Sequence, residues 1–153
     1  MLIAIDLQSL AKILAVTCCG IFSGAALYVT LVEHPARMEC GTQLAATQFG
    51  PSYRRAAIMQ ALLDVVGSLL AALIWVRGGS VAWLAGAALF VSIVPYTLLV
   101  ILPTNKQLLD ASLDRSSNLA RALLVRWGYL HSVRTVVGLA TFVLFVYLIA
   151  VGK

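Results

Sequence analysis

Residues 56–102 read AAIMQALLDVVGSLLAALIWV, then RGGS, then VAWLAGAALFVSIVPYTLLVIL. Two apolar runs, each close to the roughly 20 residues that cross a bilayer core, flank Arg77-Gly78-Gly79-Ser80. A turn-prone break this short joins antiparallel helices, so the stretch reads as a transmembrane hairpin over residues 56–76 and 81–102. Pro95 is expected to kink its second arm and Pro103 to end it.

Working outward, a further apolar run covers residues 10–32. It is longer than the apolar region of a signal peptide, and Asp6 stands where a basic stretch would be expected, so it reads as a retained span. At the other end, Ser116 and Ser117 are candidate caps for a last helix from near Asn118 to Val151. At 1.5 Å per residue it would reach about 50 Å, beyond the roughly 30 Å apolar core. Arg121 and Arg126 should therefore stand outside the membrane, with the span at 127–151. Between spans three and four, Thr104 and Gln107 suggest a capping box. Leu108, Leu109 and Leu113 alternate there with Lys106, Asp110, Asp114 and Arg115, as in a short amphipathic helix. The expected fold is all-α: one domain over residues 1–153, an integral membrane four-helix bundle with that short helix between spans three and four.

Composition agrees. The 153-residue chain is 61% hydrophobic and 11% charged, whereas a soluble domain is about half apolar and a quarter charged. The net charge of +5 reflects loop asymmetry and not a nucleic-acid surface, because no Lys/Arg-rich run interleaves with aromatics. Arg37, Arg54, Arg55, Lys106, Arg115, Arg121, Arg126 and Arg134 fall at the end of loops one and three; Lys12, Arg77 and Lys153 fall at the other. The positive-inside rule places loops one and three in the cytoplasm, with a bacterial inner membrane as the expected location. Cys18, Cys19 and Cys40 form no CxxC, and the first two read as small buried fillers.

Polar residues gather at the loop end. They are Glu33, His34 and Arg37; Tyr53, Arg54 and Arg55; Asn105; and Trp127, His131 and Arg134. On the last helix Trp127, His131, Arg134 and Gly138 are spaced to share a face, and Tyr53, Ala57, Gln60, Asp64 and Gly67 form a similar stripe on span two. Gly20 and Gly24 make a GxxxG in span one, with Thr17 and Tyr28 on its face, expected to admit a close helix neighbour. Asp64, mid-span, costs roughly 2.5–3.5 kcal/mol to insert. It reads equally as a functional acid or as a hydrogen-bonded strut to Tyr96 or Thr17. For His34 and His131 several readings stand: interface residues, general acid or base near neutral pH, haem ligands, or metal ligands with Glu33. Neither histidine pair nor carboxylate falls at metal-motif spacing. Arg37 and Arg134 read as ion-pair or lipid-phosphate partners, or as a clamp on a developing oxyanion. Trp127 and Tyr53 read as interfacial belt residues or as a stacking surface.

Taken in order, Gly20-x-x-x-Gly24-Ala25-Ala26-Leu27-Tyr28, Glu33-His34-Pro35-Ala36-Arg37, Pro103-Thr104-Asn105-Lys106-x-Leu108 and Arg126-Trp127-Gly128-x-x-His131-x-x-Arg134 resemble the anthrone-oxygenase-like family of small four-span membrane proteins. The resemblance covers nearly the whole chain. It implies the fold more firmly than a reaction, since fold does not fix function. Fungal relatives are linked to oxidation of anthrones to anthraquinones without a bound flavin. Carried onto this chain, it implies a hydrophobic aromatic substrate entering from the lipid bilayer. His34 or His131 would be the base, Arg37 and Arg134 the oxyanion clamp, and Glu33, Tyr53, Asn105, Trp127 and Asp64 the surrounding substrate contacts. The cofactor stays open between none and a metal at Glu33, His34 and His131. Two other classes stand beside this one: a proton-coupled or small-molecule transporter, motivated by Asp64 and expected to form a homodimer through Gly20 and Gly24, and a non-enzymatic membrane scaffold.

Overall fold

A computed structural model describes residues 6–152. Four helices carry the chain: α1 (Leu7–Glu39), α2 (Thr42–Val76), α3 (Val81–Leu108) and α4 (Asn118–Ala150), each long and apolar enough to cross a membrane. α1 packs on α2 and α4, and α3 closes the ring by packing on both. Large Leu, Ile and Val side chains such as Leu62, Leu69, Leu99 and Val136 point outward. Such a surface suits lipid and would be an aggregation liability in water.

The helix starts follow ordinary capping chemistry. Asp6 accepts the Ser9 N–H at 2.9 Å, Ser80 the Ala82 N–H at 3.3 Å and Ser117 the Ala120 N–H at 3.1 Å. Each satisfies a backbone donor that the first helical turn leaves open. Gly41, with φ 93°, makes the reversal between α1 and α2, a backbone conformation that glycine alone adopts freely. Loop one is thus a two-residue turn, Cys40-Gly41, where the sequence suggested a longer connection from Glu33 to Arg55. α2 accordingly starts fourteen residues before the expected span, at Thr42, and carries Pro51 inside it.

Proline placement explains two further departures. α1 is α-helical over Leu7–Tyr28, opens into a π turn at Val29–Glu33 and resumes at His34–Glu39. α3 likewise passes through a π turn at Thr97–Ile101 before Leu102–Leu108. Pro35 and Pro103 each stand just beyond the π turn. The His34 N–H reaches Val29 O and the Leu102 N–H reaches Thr97 O, so the widened turn absorbs the proline clash and the helix continues. Pro103 therefore does not end α3. The short helix between spans three and four is Leu102–Leu108, continuous with span three. Thr104 is not at a helix start, so no capping box forms: the Gln107 amide donates instead to Pro103 O at 3.2 Å. Residues 109–117 are turns held by Asp110, which accepts Ser112 N–H and Oγ–H, and by Asp114, which accepts Ser116 N–H and Oγ–H. Those hydrogen bonds hold both carboxyls below the ordinary aspartate range. Pro95 interrupts α3 as expected, the break falling at Ser92 between Val81–Val91 and Ile93–Tyr96.

The interior has two apolar clusters. One, around Phe22, Trp83, Phe90 and Phe145, fills the end near the Arg77 turn. The other, around Phe49, Ile101, Leu124 and Trp127, fills the end near Cys40-Gly41. On α2 and α4 the buried polar residues Gln60, Asp64, His131 and Thr135 fall between them in sequence. Of the GxxxG pair, Gly20 packs on Phe142, where a Cβ would come within 2.9 Å of the ring, but Gly24 has nothing within 4 Å. Cys19 is buried as expected, Cys18 is half-buried, Cys40 is exposed, and all three are free thiols.

A Cβ at Gly86 would lie 2.3 Å from the Phe145 ring. Gly86→Ala is expected to lower stability in detergent by about 1–3 kcal/mol through overpacking. Gly24→Ala, facing open space, should leave the thermal unfolding midpoint within about 0.5 kcal/mol of the parent. Equal effects of the two would contradict the α3–α4 packing.

Candidate functional site

The indole of Trp127 is the hub of the polar cluster. One turn on, the His131 ring stacks on it at 4.7 Å between centroids and 27° between planes. From α1 the His34 ring packs against it at 5.2 Å, tilted 55°. From α2 the Phe49 ring meets it edge-on at 5.3 Å, and Phe49 in turn stacks on Tyr53 at 5.7 Å and 5°. The Arg37 guanidinium lies 5.9 Å from the indole centroid, within cation–π reach. The sequence put the two histidines at one end of the bundle; the structure puts them both against one tryptophan.

The cations are held from behind. Glu33 takes a charge-assisted hydrogen bond from Arg37, and its Oε1 also accepts from Gln48 Nε2 at 3.1 Å and Ser52 Oγ at 3.0 Å. Glu33 is therefore an anchor for the buried Arg37 and does not line the cavities around Trp127. Arg134 donates from Nη2 to Gln60 Oε1 at 2.7 Å and lies over the Phe22 ring at 5.5 Å. Asp64, 1% exposed, accepts from Ser68 Oγ at 3.4 Å. The partners expected for it are engaged elsewhere: Tyr96 donates to Leu130 O and Thr17 to Ile13 O. Both lie on helices whose own carbonyls are nearer than the carboxylate. Asn105 is buried with both amide atoms lacking a partner among the described residues, and it does not line the cavities below.

Three cavities surround these side chains. An outer cleft of about 370 Å³ between α1 and α4 is lined by Thr30, His34, Met38, Trp127, Tyr129 and His131, among others. An inner space of only about 30 Å³ is bounded by Arg37, Tyr53, Gln60, Trp127, His131 and Arg134. A third, of about 180 Å³ between α2 and α3, is lined by Tyr53, Gln60, Asp64, Thr97, Leu98 and Arg134. His131 borders the first two and Arg134 the last two. One row of side chains thus runs through the bundle, with an imidazole at one end and a carboxylate at the other. The chemistry this arrangement offers is a proton acceptor beside a flat apolar wall, with two fixed cations a short way behind it. Among the described residues no three of His, Cys, Asp and Glu converge as a metal set; Glu33 in particular is already saturated by Arg37, Gln48 and Ser52.

Several residues here escaped the sequence reading. Thr30 Oγ1 lies 3.1 Å from His131 Nδ1 and 2.8 Å from Thr135 Oγ1. Thr135 stands one turn after His131, a spacing visible in the sequence; Thr30 carried no such signal. Gly128 admits the His34 ring, whose Nε2 would be 2.6 Å from a Cβ there, which gives the Trp-Gly-x-x-His segment a steric reason.

The fold and site define a four-helix membrane bundle with an aromatic, cation-backed histidine site at one end. A family model for anthrone oxygenases matches residues 49–144, well over half the chain, and the protein belongs to the anthrone oxygenase family. The match takes in Tyr53, Asp64, Asn105, Trp127, His131 and Arg134, while Glu33, His34 and Arg37 lie before it. No match was found among curated proteins or among solved structures.

Gly128→Ala should push the His34 ring off Trp127 and cost about 1–3 kcal/mol. In a His34→Ala background the same change should be close to neutral. Thermal unfolding of the four proteins of that cycle checks the contact, and an unchanged Gly128→Ala penalty without His34 would contradict it.

Proposed function

We propose that the protein oxidises a flat aromatic substrate bearing an acidic benzylic C–H, of the anthrone type, with dioxygen. The observation that carries this reading is His131, which borders the outer cleft and stacks on Trp127, with Arg37 and Arg134 bounding the space behind it. A cleft of about 370 Å³ falls in the range of roughly 300–1,000 Å³ common for small-molecule sites.

The substrate's rings lie along Trp127 and the apolar wall of the cleft, having entered from the bilayer between α1 and α4. His131 takes a proton from the methylene, and the electron pair left behind delocalises onto the ring oxygen. Arg37 and Arg134 stabilise that oxyanion electrostatically. The carbanion reduces dioxygen and joins it to give a hydroperoxide, which loses water to leave the ketone: CH₂ plus O₂ becomes C=O plus H₂O. His34, on the other face of Trp127, shapes the cleft or serves as the second acid–base group. Tyr53 supports the stack through Phe49, and Asn105 supplies hydrogen-bonding capacity nearby. The arginine-rich end faces the cytoplasm of a bacterial inner membrane on the charge argument.

His131→Ala is expected to lower the rate of anthrone conversion, followed by quinone absorbance with protein in detergent, by about 10²–10⁴-fold, as loss of a general base does. Unchanged rates in both His131→Ala and His34→Ala would sink the proposal.

Asp64 carries a second reading, proton-linked transport, because a buried carboxylate lines the α2–α3 cavity with Arg134 and intramembrane acids mark ion paths. That reading expects proton-coupled flux in liposomes which Asp64→Asn abolishes. The oxidation reading expects no such flux in the parent protein.

A further inference from the structure

The hydroxyl pair behind His131 has a direction that can be read by counting protons. A threonine hydroxyl donates once and accepts through its lone pairs, and a backbone carbonyl only accepts. Thr135 Oγ1 lies 3.2 Å from Ala26 O and 3.4 Å from His131 O, so its proton goes to a carbonyl. The 2.8 Å contact between Thr30 Oγ1 and Thr135 Oγ1 is then made by the Thr30 proton. With that proton used, the 3.1 Å contact between Thr30 Oγ1 and His131 Nδ1 is made by a proton on the ring. The opposite direction, Thr135 to Thr30 to Nδ1, makes one bond fewer, because neither carbonyl then receives a proton from Thr135. In a bundle interior without bulk water that lost bond has no replacement.

We propose that Thr30, itself held by Thr135, is a positioning residue that fixes neutral His131 as the Nδ1–H tautomer, leaving the Nε2 lone pair free toward the cavities. Nε2 has no hydrogen-bond partner among the described residues, and it is not one of the sealed, unpartnered polar atoms. The stack on Trp127 holds the ring plane. The position of Thr30 depends on the π turn Val29–Glu33 in which it stands. The tautomer assignment stands on these hydrogen bonds alone; its catalytic consequence rests on the reading that His131 takes a proton from substrate. In that step the C–H proton passes to Nε2, the electron pair stays on carbon, and the bond from Nδ1–H to Thr30 is kept throughout. No hydroxyl has to turn as the imidazolium forms. The reverse tautomer would place the only lone pair against Thr30, where no substrate reaches it.

The chain has two histidines, so ¹⁵N-histidine labelling of the full protein in detergent or bilayers gives two rings, and a His34→Gln variant assigns them. At a pH where the rings are neutral, His131 is expected to show a protonated Nδ1 and a bare Nε2. Thr30→Val removes the acceptor and should shift the ring toward Nε2–H or a mixture, while Thr30→Ser should restore the parent spectrum. A parent His131 found as Nε2–H would overturn the proposal, and so would an unaltered Nδ1–H spectrum in Thr30→Val. If anthrone is oxidised, Thr30→Val should lower kcat by roughly 10²-fold, the scale of losing a positioned base, with the larger effect on kcat than on KM. An Nδ1–H ring in a protein that oxidises no anthrone would leave the tautomer assignment standing and remove the functional reading.

Discussion

The guanidinium of Arg134 sits among apolar helices, and its hydrogen bond to Gln60 at 2.7 Å sets much of what surrounds it. A cation at membrane depth is costly unless neighbouring side chains replace its water. Here α2 supplies that replacement through Gln60, with Asp64 one turn further along on the same cavity wall. Meeting the need requires α2 and α4 to approach across the bundle as well as around it. The polar row from His131 to Asp64 follows from that approach. So do the small residues on either side, Ala57 and Ala61 on α2 and Gly138 on α4, which leave room for it.

At the crowded end the same logic operates through Glu33. One carboxylate oxygen collects Arg37, Gln48 and Ser52, binding the tail of α1 to the first turns of α2 directly across the Cys40-Gly41 turn. Arg37 is thereby fixed over Trp127. A buried ion pair adds little net stability once desolvation is counted, but it defines position well, and position is what a site built around one indole requires. Trp127 works as a shared wall: His131, His34, Phe49 and Arg37 are each located by contact with it.

Much of this was legible in the residues. The four apolar runs, the short hairpin turn at Arg77-Gly78-Gly79-Ser80 and the cap at Ser117 all read directly, because length and capping are local properties. So did the shared face of Trp127 and His131. Loop one did not, because Glu33, His34, Pro35 and Arg37 look like a polar connection when they are in fact helical, buried against α2 and α4. Pro103 misled for a related reason: a proline normally stops a helix, and only the preceding π turn lets this one pass. The partner of Asp64 and the role of Thr30 depend on which helix lies opposite, information that one chain's periodicity does not contain.

The two π turns carry a consequence for how such a chain can vary. Each amounts to one extra residue accommodated in an α-helix. Deleting a single residue from Val29–Glu33 would return α1 to regular pitch and rotate everything after it by about 100°. Glu33, His34 and Arg37 would then turn away from Trp127 together, although none had been substituted. An insertion or deletion at these two places is thus a coarse evolutionary lever, able to erase or rebuild the site in one event while the bundle's apolar exterior stays as it was.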